Sequence, residues 1–232
     1  MDNPDINKSI VETIQWKSIL KQKVYDNTLA VFSMLKEVLP ELAKSFNSRL
    51  TGSDKRVMLE FRDMGLFDAQ MKVSGDLLFF HMHSNVFEFD RGHGIWKTSY
   101  IQADKTASYC GIINIFNFLA DSVKYKRLED LGYLIGRIFI NKDMHYFVEG
   151  KRQLGYFYNN FGKDIIDKEA LRNITKLAMQ YALEFDLLVP PYDAVKMVNV
   201  DLITQKIQFS KMKTGKRLGF QFNADDVSGE EK

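Results

Sequence analysis

The sequence predicts an α+β fold, in which an antiparallel, mixed-order sheet packs with N-terminal helices and one long helix from the C-terminal half. Three observations lead to this class. Apolar residues recur every three or four positions near the N-terminus, which is the helical period. Short strand-like runs separated by Gly, Ser and Asn follow. A second helical pattern begins only after Asp167, so helices and strands are segregated rather than alternating as in a doubly wound sheet.

Two helices are predicted at the N-terminal end of the chain. Ser9 and Glu12 form the Ser-x-x-Glu pattern, in which each side chain satisfies a free backbone donor at a helix start. Asn27 is expected to cap a second helix, whose apolar stripe extends over more than five turns. Pro40 lies inside that stripe and lacks an amide hydrogen, so a kink or a break is predicted near Leu39.

The middle of the chain is predicted to form a meander of short strands. The following segment, 90–106, is polar and reads as a loop that packs down through Trp96 and Tyr100. The apolar run 112–119 fits either a buried strand or two helical turns, and its Ile and Phe content favours the strand. The meander strands are predicted at 57–61, 67–73, 77–83 and 86–89.

The stretch 131–151 is predicted to be a buried hairpin, around which the rest of the fold is organised. Two apolar runs flank a polar turn that begins at Asn141. Both faces of the first run are apolar, which predicts helices on one side of the hairpin and strands on the other.

The remaining C-terminal part of the chain is predicted to continue the same domain. A helix capped by Asp167 is expected to end before Pro190, and the alternating runs at 198–202 and 218–222 are expected to be strands. The sequence therefore predicts the following organisation: a single domain over 1–222, with a helical part at 5–50 and a sheet-rich body at 56–222, and a disordered acidic tail at 223–232.

Composition argues against strong electrostatic attraction to nucleic acid or a membrane. The chain has 32 basic and 30 acidic residues, a net charge of +2. Its basic cluster between Lys206 and Arg217 is interpreted as the solvated face of an edge hairpin, since lysines protect edge strands from mispairing. One cysteine, Cys110, and the lack of a long apolar run predict a soluble protein of the cytoplasm.

His81 and His83 are the first candidates for a functional site. They lie two positions apart on a predicted strand, so both side chains point to one face, and Glu88 follows on the next strand. The spacing from Gly75 through the His-Met-His segment to Glu88 resembles the first metal-binding motif of the cupin family. That resemblance implies these metal ligands: His81, His83, Glu88 and, as the fourth, His145. The simpler interpretation is two histidines on a half-exposed strand.

Glu149 and Lys151 are the second candidates. The segment 145–151 resembles the (D/E)-x-K strand of the PD-(D/E)xK nuclease family. The resemblance implies that Glu149 holds Mg²⁺ and that Lys151 stabilises charge or positions water beside the scissile phosphate. That family also uses an aspartate on the neighbouring strand, whereas Asp130 precedes this strand and Asp143 lies in its turn. The simpler interpretation is a strand that ends in an exposed Glu and Lys.

No complete catalytic motif accompanies these fragments. The chain has no nucleophile elbow, no phosphate-binding loop and no dinucleotide turn. The leading prediction is therefore a binding or interaction module without catalytic activity, whose partner is a protein or a second copy rather than nucleic acid or a membrane. The alternatives are a metal-dependent phosphodiesterase that uses Glu149 and Lys151, or a cupin-like metal-binding protein that uses His81, His83 and Glu88. The sequence identifies no cofactor.

Overall fold

The fold is an antiparallel sheet with helices packed on one face, as a computed structural model of the chain shows, and the predicted α+β class is confirmed. The structure describes residues 4–52, 54–128, 130–156, 160–186, 193 and 197. The helices are α1 (Pro4–Thr13), α2 (Ile19–Asn47), α3 (Ser99–Ala103), α4 (Ala120–Lys124), α5 (Gln153–Tyr156) and α6 (Lys168–Glu184). The strands are β1 (Glu60–Asp63), β2 (Asp68–Val73), β3 (Asp76–Met82), β4 (Phe87–Glu88), β5 (Tyr109–Leu119), β6 (Tyr133–Asn141) and β7 (Tyr146–Gly150).

The N-terminal helices differ from the prediction in that α2 is one helix from Ile19 to Asn47, joined to α1 by a π-helical turn, Ile14–Ser18. Asn27 is not a cap, because its side-chain amide donates to the carbonyl oxygens of Asn141 and Lys142 at 3.0 and 2.9 Å. The predicted interruption at Pro40 does not end the helix. Buried core residues precede and follow the proline, and their packing outweighs one missing backbone hydrogen bond.

The sheet follows chain order except at β4. Its strands lie in the order β1-β2-β3-β5-β6-β7, all antiparallel, and β4 pairs with the first residues of β5. The predicted meander is confirmed for β1 to β3, although only residues 87 and 88 of the predicted fourth strand form one. The ambiguous run 112–119 is a strand, as favoured, and it lies at the centre of the sheet as part of β5.

The inner face of the sheet carries the main hydrophobic core. Side chains point alternately to the inner and the outer face along each strand, and α2 and α6 cover those of the inner face. Asp167 caps α6 as predicted, since its carboxylate accepts a hydrogen bond from the Ala170 amide at 2.7 Å. The core side chains from the strands include Met71, Leu78, Phe80, Ile113, Ile115, Ile138 and Val148.

Among the described residues, only one half of the outer face of the sheet is covered. There, Phe139 and Phe147 stack with ring centroids 4.7 Å apart, and the segment 86–108 lies over them through Phe89 and Trp96. The sequence predicted that strands would cover this side of the hairpin. This prediction is wrong, since a loop with short helical turns covers it instead. The loop buries enough aromatic surface to replace a second sheet.

The turn of the β6–β7 hairpin is held by a partly buried polar network, and the predicted hairpin is confirmed. The side-chain oxygen of Asn141 accepts from the amides of Asp143 and His145, while its Nδ2 donates to the Tyr100 hydroxyl at 2.9 Å. Tyr100 in turn donates to Asp143 at 3.0 Å and contacts His145 Nδ1 at 3.0 Å. Burial raises the pKa of Tyr100 to about 12, so its hydroxyl stays protonated.

Some predictions concern parts of the chain beyond this description. The strands predicted at 198–202 and 218–222, the Lys206–Arg217 cluster and the 223–232 tail lie outside the described residues, and the single domain over 1–222 stays a prediction. Within the described part of the chain, no helix combines the length and the apolar character needed to cross a bilayer.

Candidate functional site

A row of polar side chains crosses the outer face of the sheet, with one member on each of five adjacent strands. Each member is the register partner of the next, so all five point to the same side. All five are partly buried. We call this set the polar row, and it consists of Asp68 (β2), His81 (β3), Asn114 (β5), Arg137 (β6) and Glu149 (β7).

One end of the polar row is an aspartate–histidine pair. His81 Nδ1 lies 2.7 Å from Asp68 Oδ1, which is hydrogen-bonding distance. A carboxylate accepts only, so the Nδ1 of His81 carries a hydrogen, and its Nε2 is the ring nitrogen left for another partner. The pair therefore fixes both the orientation and the tautomer of the imidazole.

The other end of the polar row is a carboxylate held by an arginine and a histidine. Glu149 Oε2 accepts from Arg137 Nε at 3.0 Å and from Nη2 of the same guanidinium, the two-point contact that arginine favours. Its other oxygen, Oε1, lies 3.3 Å from His93 Nε2. His93 belongs to the segment that covers the neighbouring half of the outer face. This contact ties the covering segment to the end of the row.

Beyond the polar row lies the open half of the outer face, whose central strands carry apolar side chains. Phe79, Phe116 and Leu134 are register partners in sequence across β3, β5 and β6. Gly132 passes so close to this surface that a Cβ there would lie 2.3 Å from the Phe118 ring, so the chain before β6 packs onto the sheet. Three leucines just before and within β6 are exposed, and we call them the leucine patch: Leu128 (90% exposed), Leu131 (62%) and Leu134 (41%).

A charged groove of about 910 Å³ borders the open half near β1 and α4. Its basic and acidic side chains are largely paired with each other: Arg56 with Asp54 at 2.5 Å, and Lys72 with Glu60 at 2.9 Å. The groove lining also includes Arg62, Lys124 and Asp121, so positive and negative groups are nearly balanced. A nucleic-acid surface needs uncompensated positive charge for phosphates, which this groove does not present.

The structure brings together two of the residues that the cupin resemblance implies. The rings of His81 and His83 have centroids 6.3 Å apart on the same face. Glu88 accepts instead from Arg91 at 2.9 Å, and His145 belongs to the Tyr100 network at the hairpin turn. Among the described residues, no group of three or more His, Cys, Asp or Glu side chains is arranged to hold a metal ion. The metal site stays a prediction.

Glu149 and Lys151 lie at the end of β7 and just after it. Both carboxylate oxygens of Glu149 contact the partners described above, Arg137 and His93. The backbone amide of Lys151 donates to the Ile135 carbonyl, and the Lys151 side chain is exposed. Mg²⁺ binds oxygen ligands, so an ion at Glu149 would compete with Arg137 for Oε2 or with His93 for Oε1. Catalysis by this pair also stays a prediction.

Sequence reasoning missed Asp68, Asn114, Arg137 and His93 as members of the site. Asp68 could have been found from the sequence. The tight turn at Ser74 and Gly75 fixes the β2–β3 register, and this register places Asp68 opposite His81. Arg137 pairs with Glu149 within the β6–β7 hairpin, whereas Asn114 and His93 reach the site through contacts between segments far apart in the chain. No local pattern marks them.

Comparisons of the chain with protein-family models, with curated proteins and with solved structures found no match. The interpretation of the outer face therefore depends on its own geometry and chemistry.

Proposed function

We propose that this chain is a binding module that recognises a protein partner through the open half of its outer sheet face, without chemistry of its own. The observation that carries the proposal is the leucine patch, in which three leucines within seven residues are 41% to 90% exposed beside a row of paired polar groups. Contiguous exposed apolar side chains with a polar border are typical of protein interaction sites.

The charges of this face support a protein rather than a nucleic acid as the partner. Arg137 offsets the charge of Glu149, and Asp68, the other acid of the polar row, is hydrogen-bonded to His81, so the row presents no excess of positive charge for phosphates. The Asp68–His81 and Arg137–Glu149 pairs lose little on desolvation, since their groups already hydrogen-bond each other. Apolar anchors of the partner would contact the leucine patch, and the His81 Nε2 would supply a directional hydrogen bond.

A cytoplasmic location is part of the same proposal. Cys110 is the one cysteine of the sequence, and it is fully buried in the covered half of the outer face. Burial raises the pKa of its thiol, so it is held protonated and unreactive. A buried, reduced cysteine supports a reducing compartment.

Site-specific photocrosslinking in living cells tests the proposal. A photoreactive amino acid at Leu131 of the full chain is expected to give one discrete protein adduct, whereas the same group at Lys97, exposed on the covering segment, is expected to give none. Leu128→Asp should abolish the adduct, because it places a charge in the patch. Leu183→Asp is the matched control, since this 53%-exposed leucine lies on α6.

Three results would contradict the proposal. Equal adducts from both crosslinker positions would show no preference for the patch. An adduct with nucleic acid in place of protein would assign the face to the other class of partner. An adduct that survives Leu128→Asp would place the contact elsewhere.

A further inference from the structure

The first helical segment of the chain exposes a second apolar surface, unrelated to the sheet. Every side chain from 5 to 16 is exposed, and we call residues 4–19 the N-terminal arm. A helix with this little tertiary packing has marginal stability in water, and covering its apolar side chains would stabilise it. Those side chains are Ile6 (56% exposed), Ile10 (51%), Val11 (52%), Ile14 (55%), Trp16 (52%) and Ile19 (64%).

The apolar side chains of the arm form a stripe along its length. Ile6, Ile10 and Ile14 follow one another at four-residue spacing, which places them on one side of α1. Ile19 comes five residues after Ile14, and the intervening turn is π-helical. Because a π-turn bonds residues five apart, Ile19 lies close to the line of the preceding isoleucines. The local change in helical period thus extends the stripe to the end of the arm.

We propose that the N-terminal arm pairs with the arm of a second copy of this chain, in antiparallel orientation. The charges along the helix favour this occupant. Residues 4–13 carry two acids and one base, and residues 14–24 carry three lysines and no acid. A parallel pair would place the two basic halves together, whereas an antiparallel pair separates them.

The lysines are also placed so that the stripe stays uninterrupted. Lys17 and Lys21 have their Nζ atoms 5.8 and 5.9 Å from the centre of the Tyr109 ring, on the side of the helix that faces the sheet. Their charged groups therefore lie near the Tyr109 ring and leave the apolar stripe uninterrupted. Five half-exposed side chains on or beside the stripe (Ile6, Ile10, Val11, Ile14 and Ile19) from each of two copies supply on the order of 1,000 Å² of buried surface, the lower limit for a specific interface.

The mass of the full chain in solution is the first test. Light scattering coupled to size exclusion should give twice the 26.9 kDa of one chain. Ile10→Lys places a charge in both halves of a two-fold interface, and we expect it to raise the dimer dissociation constant at least about tenfold, since each 1.4 kcal/mol is one decade. Ser9→Lys adds the same side chain at an exposed position off the stripe and should leave the mass at the dimer value.

Disulfide trapping tests the orientation separately. The natural Cys110 is buried, so single engineered cysteines in the arm react alone. A chain with Ile6→Cys mixed with a chain with Ile19→Cys should form the mixed disulfide in preference to either symmetric one, because antiparallel pairing brings these two positions together. Preferred symmetric disulfides would contradict the antiparallel arrangement.

Two further outcomes would overturn the pairing itself. The first is a wild-type chain that remains monomeric at millimolar concentration. The second is a monomeric chain that sediments with anionic phospholipid vesicles and loses this binding with Ile10→Lys, which would assign the stripe to a membrane surface. An intact fold of Ile10→Lys, measured by its thermal unfolding, separates loss of pairing from loss of structure. These residues are distinct from the leucine patch, so either proposal can fail alone.

Discussion

Gly111 in β5 lies directly beneath Thr28 of α2, and a Cβ on that glycine would be 2.0 Å from Thr28 Oγ1. Thr28 is fully buried, and its hydroxyl donates to the Val24 carbonyl at 2.7 Å. The helix therefore lies so close to β5 that no side chain larger than a hydrogen atom fits at position 111. This contact sets the spacing between the two layers of the fold.

Gly111→Ala should destabilise the protein by about 1–3 kcal/mol, the usual cost of overpacking a core. The free energy of unfolding in urea measures it. Adding Thr28→Ala should recover only part of the loss, because Thr28 Cβ would still be within 2.7 Å of the new methyl group. Gly94→Ala is the control, since nothing lies within 4 Å of a Cβ there, and a comparable loss in this variant would contradict the steric explanation.

Lys142 joins the hairpin turn to the covering segment through two ion pairs, to Asp104 and to Asp143, each at 2.9 Å. Hydrogen bonds from Thr106 and Lys142 lower the pKa of Asp104. Burial opposes ionisation of Asp143, but its hydrogen bonds with Lys142 and Tyr100 outweigh it and lower that pKa as well. Burial likewise opposes the charge of Lys142, yet bonds to both aspartates raise its pKa.

These shifts determine how stability depends on pH. Both aspartates have lower pKa values in the folded chain, so their contribution is present above the unfolded value of 3.8 and is lost as the pH falls through the folded values. The pKa of Lys142 is raised, so its contribution is complete below 10.5 and is lost as the pH rises through the folded value. The ion pairs therefore stabilise the fold most between these limits.

Lys142→Met should lower the free energy of unfolding by about 1 kcal/mol at pH 7, given that the pairs are partly exposed. The difference from wild type should shrink as the pH falls below 3.8. Lys105→Met, at a nearby exposed position, should leave the stability unchanged across this range. Urea unfolding at several pH values measures both variants, and a pH-independent loss would show that Lys142 acts by packing alone.

Glu149→Gln tests whether this carboxylate has a structural or a catalytic role. Its pair with Arg137 is partly exposed, so we expect a loss of at most about 1 kcal/mol of stability. Lys151→Gln, at an exposed position, should change stability by less than about 0.5 kcal/mol. We expect neither the wild-type chain nor either variant to cleave DNA or RNA in the presence of Mg²⁺. Mg²⁺-dependent cleavage lost in both variants would instead establish the nuclease role.

Part of the candidate site was predictable from the sequence. The placement of His81 and His83 on one face follows from strand period alone, and Asp68 follows from the register of a tight hairpin. The sequence did not predict the contact of Arg137 with Glu149, although both lie in one predicted hairpin, because the same residues were interpreted as the exposed end of a strand. Asn114 and His93 depend on long-range pairing and could not be placed.

The sequence by itself determined the local elements of this protein: the helical periods, the central hairpin with its turn at Asn141, and the segregation of helices from strands. These follow from backbone geometry and the alternation of apolar residues, which act over a few positions. Only the tertiary structure decided that β3 pairs with β5, that the polar row crosses five strands, and that the stripe of the N-terminal arm lies exposed beyond the sheet. An apolar stripe predicts that one face of a helix is buried. Which surface covers that face depends on contacts between segments far apart in the chain.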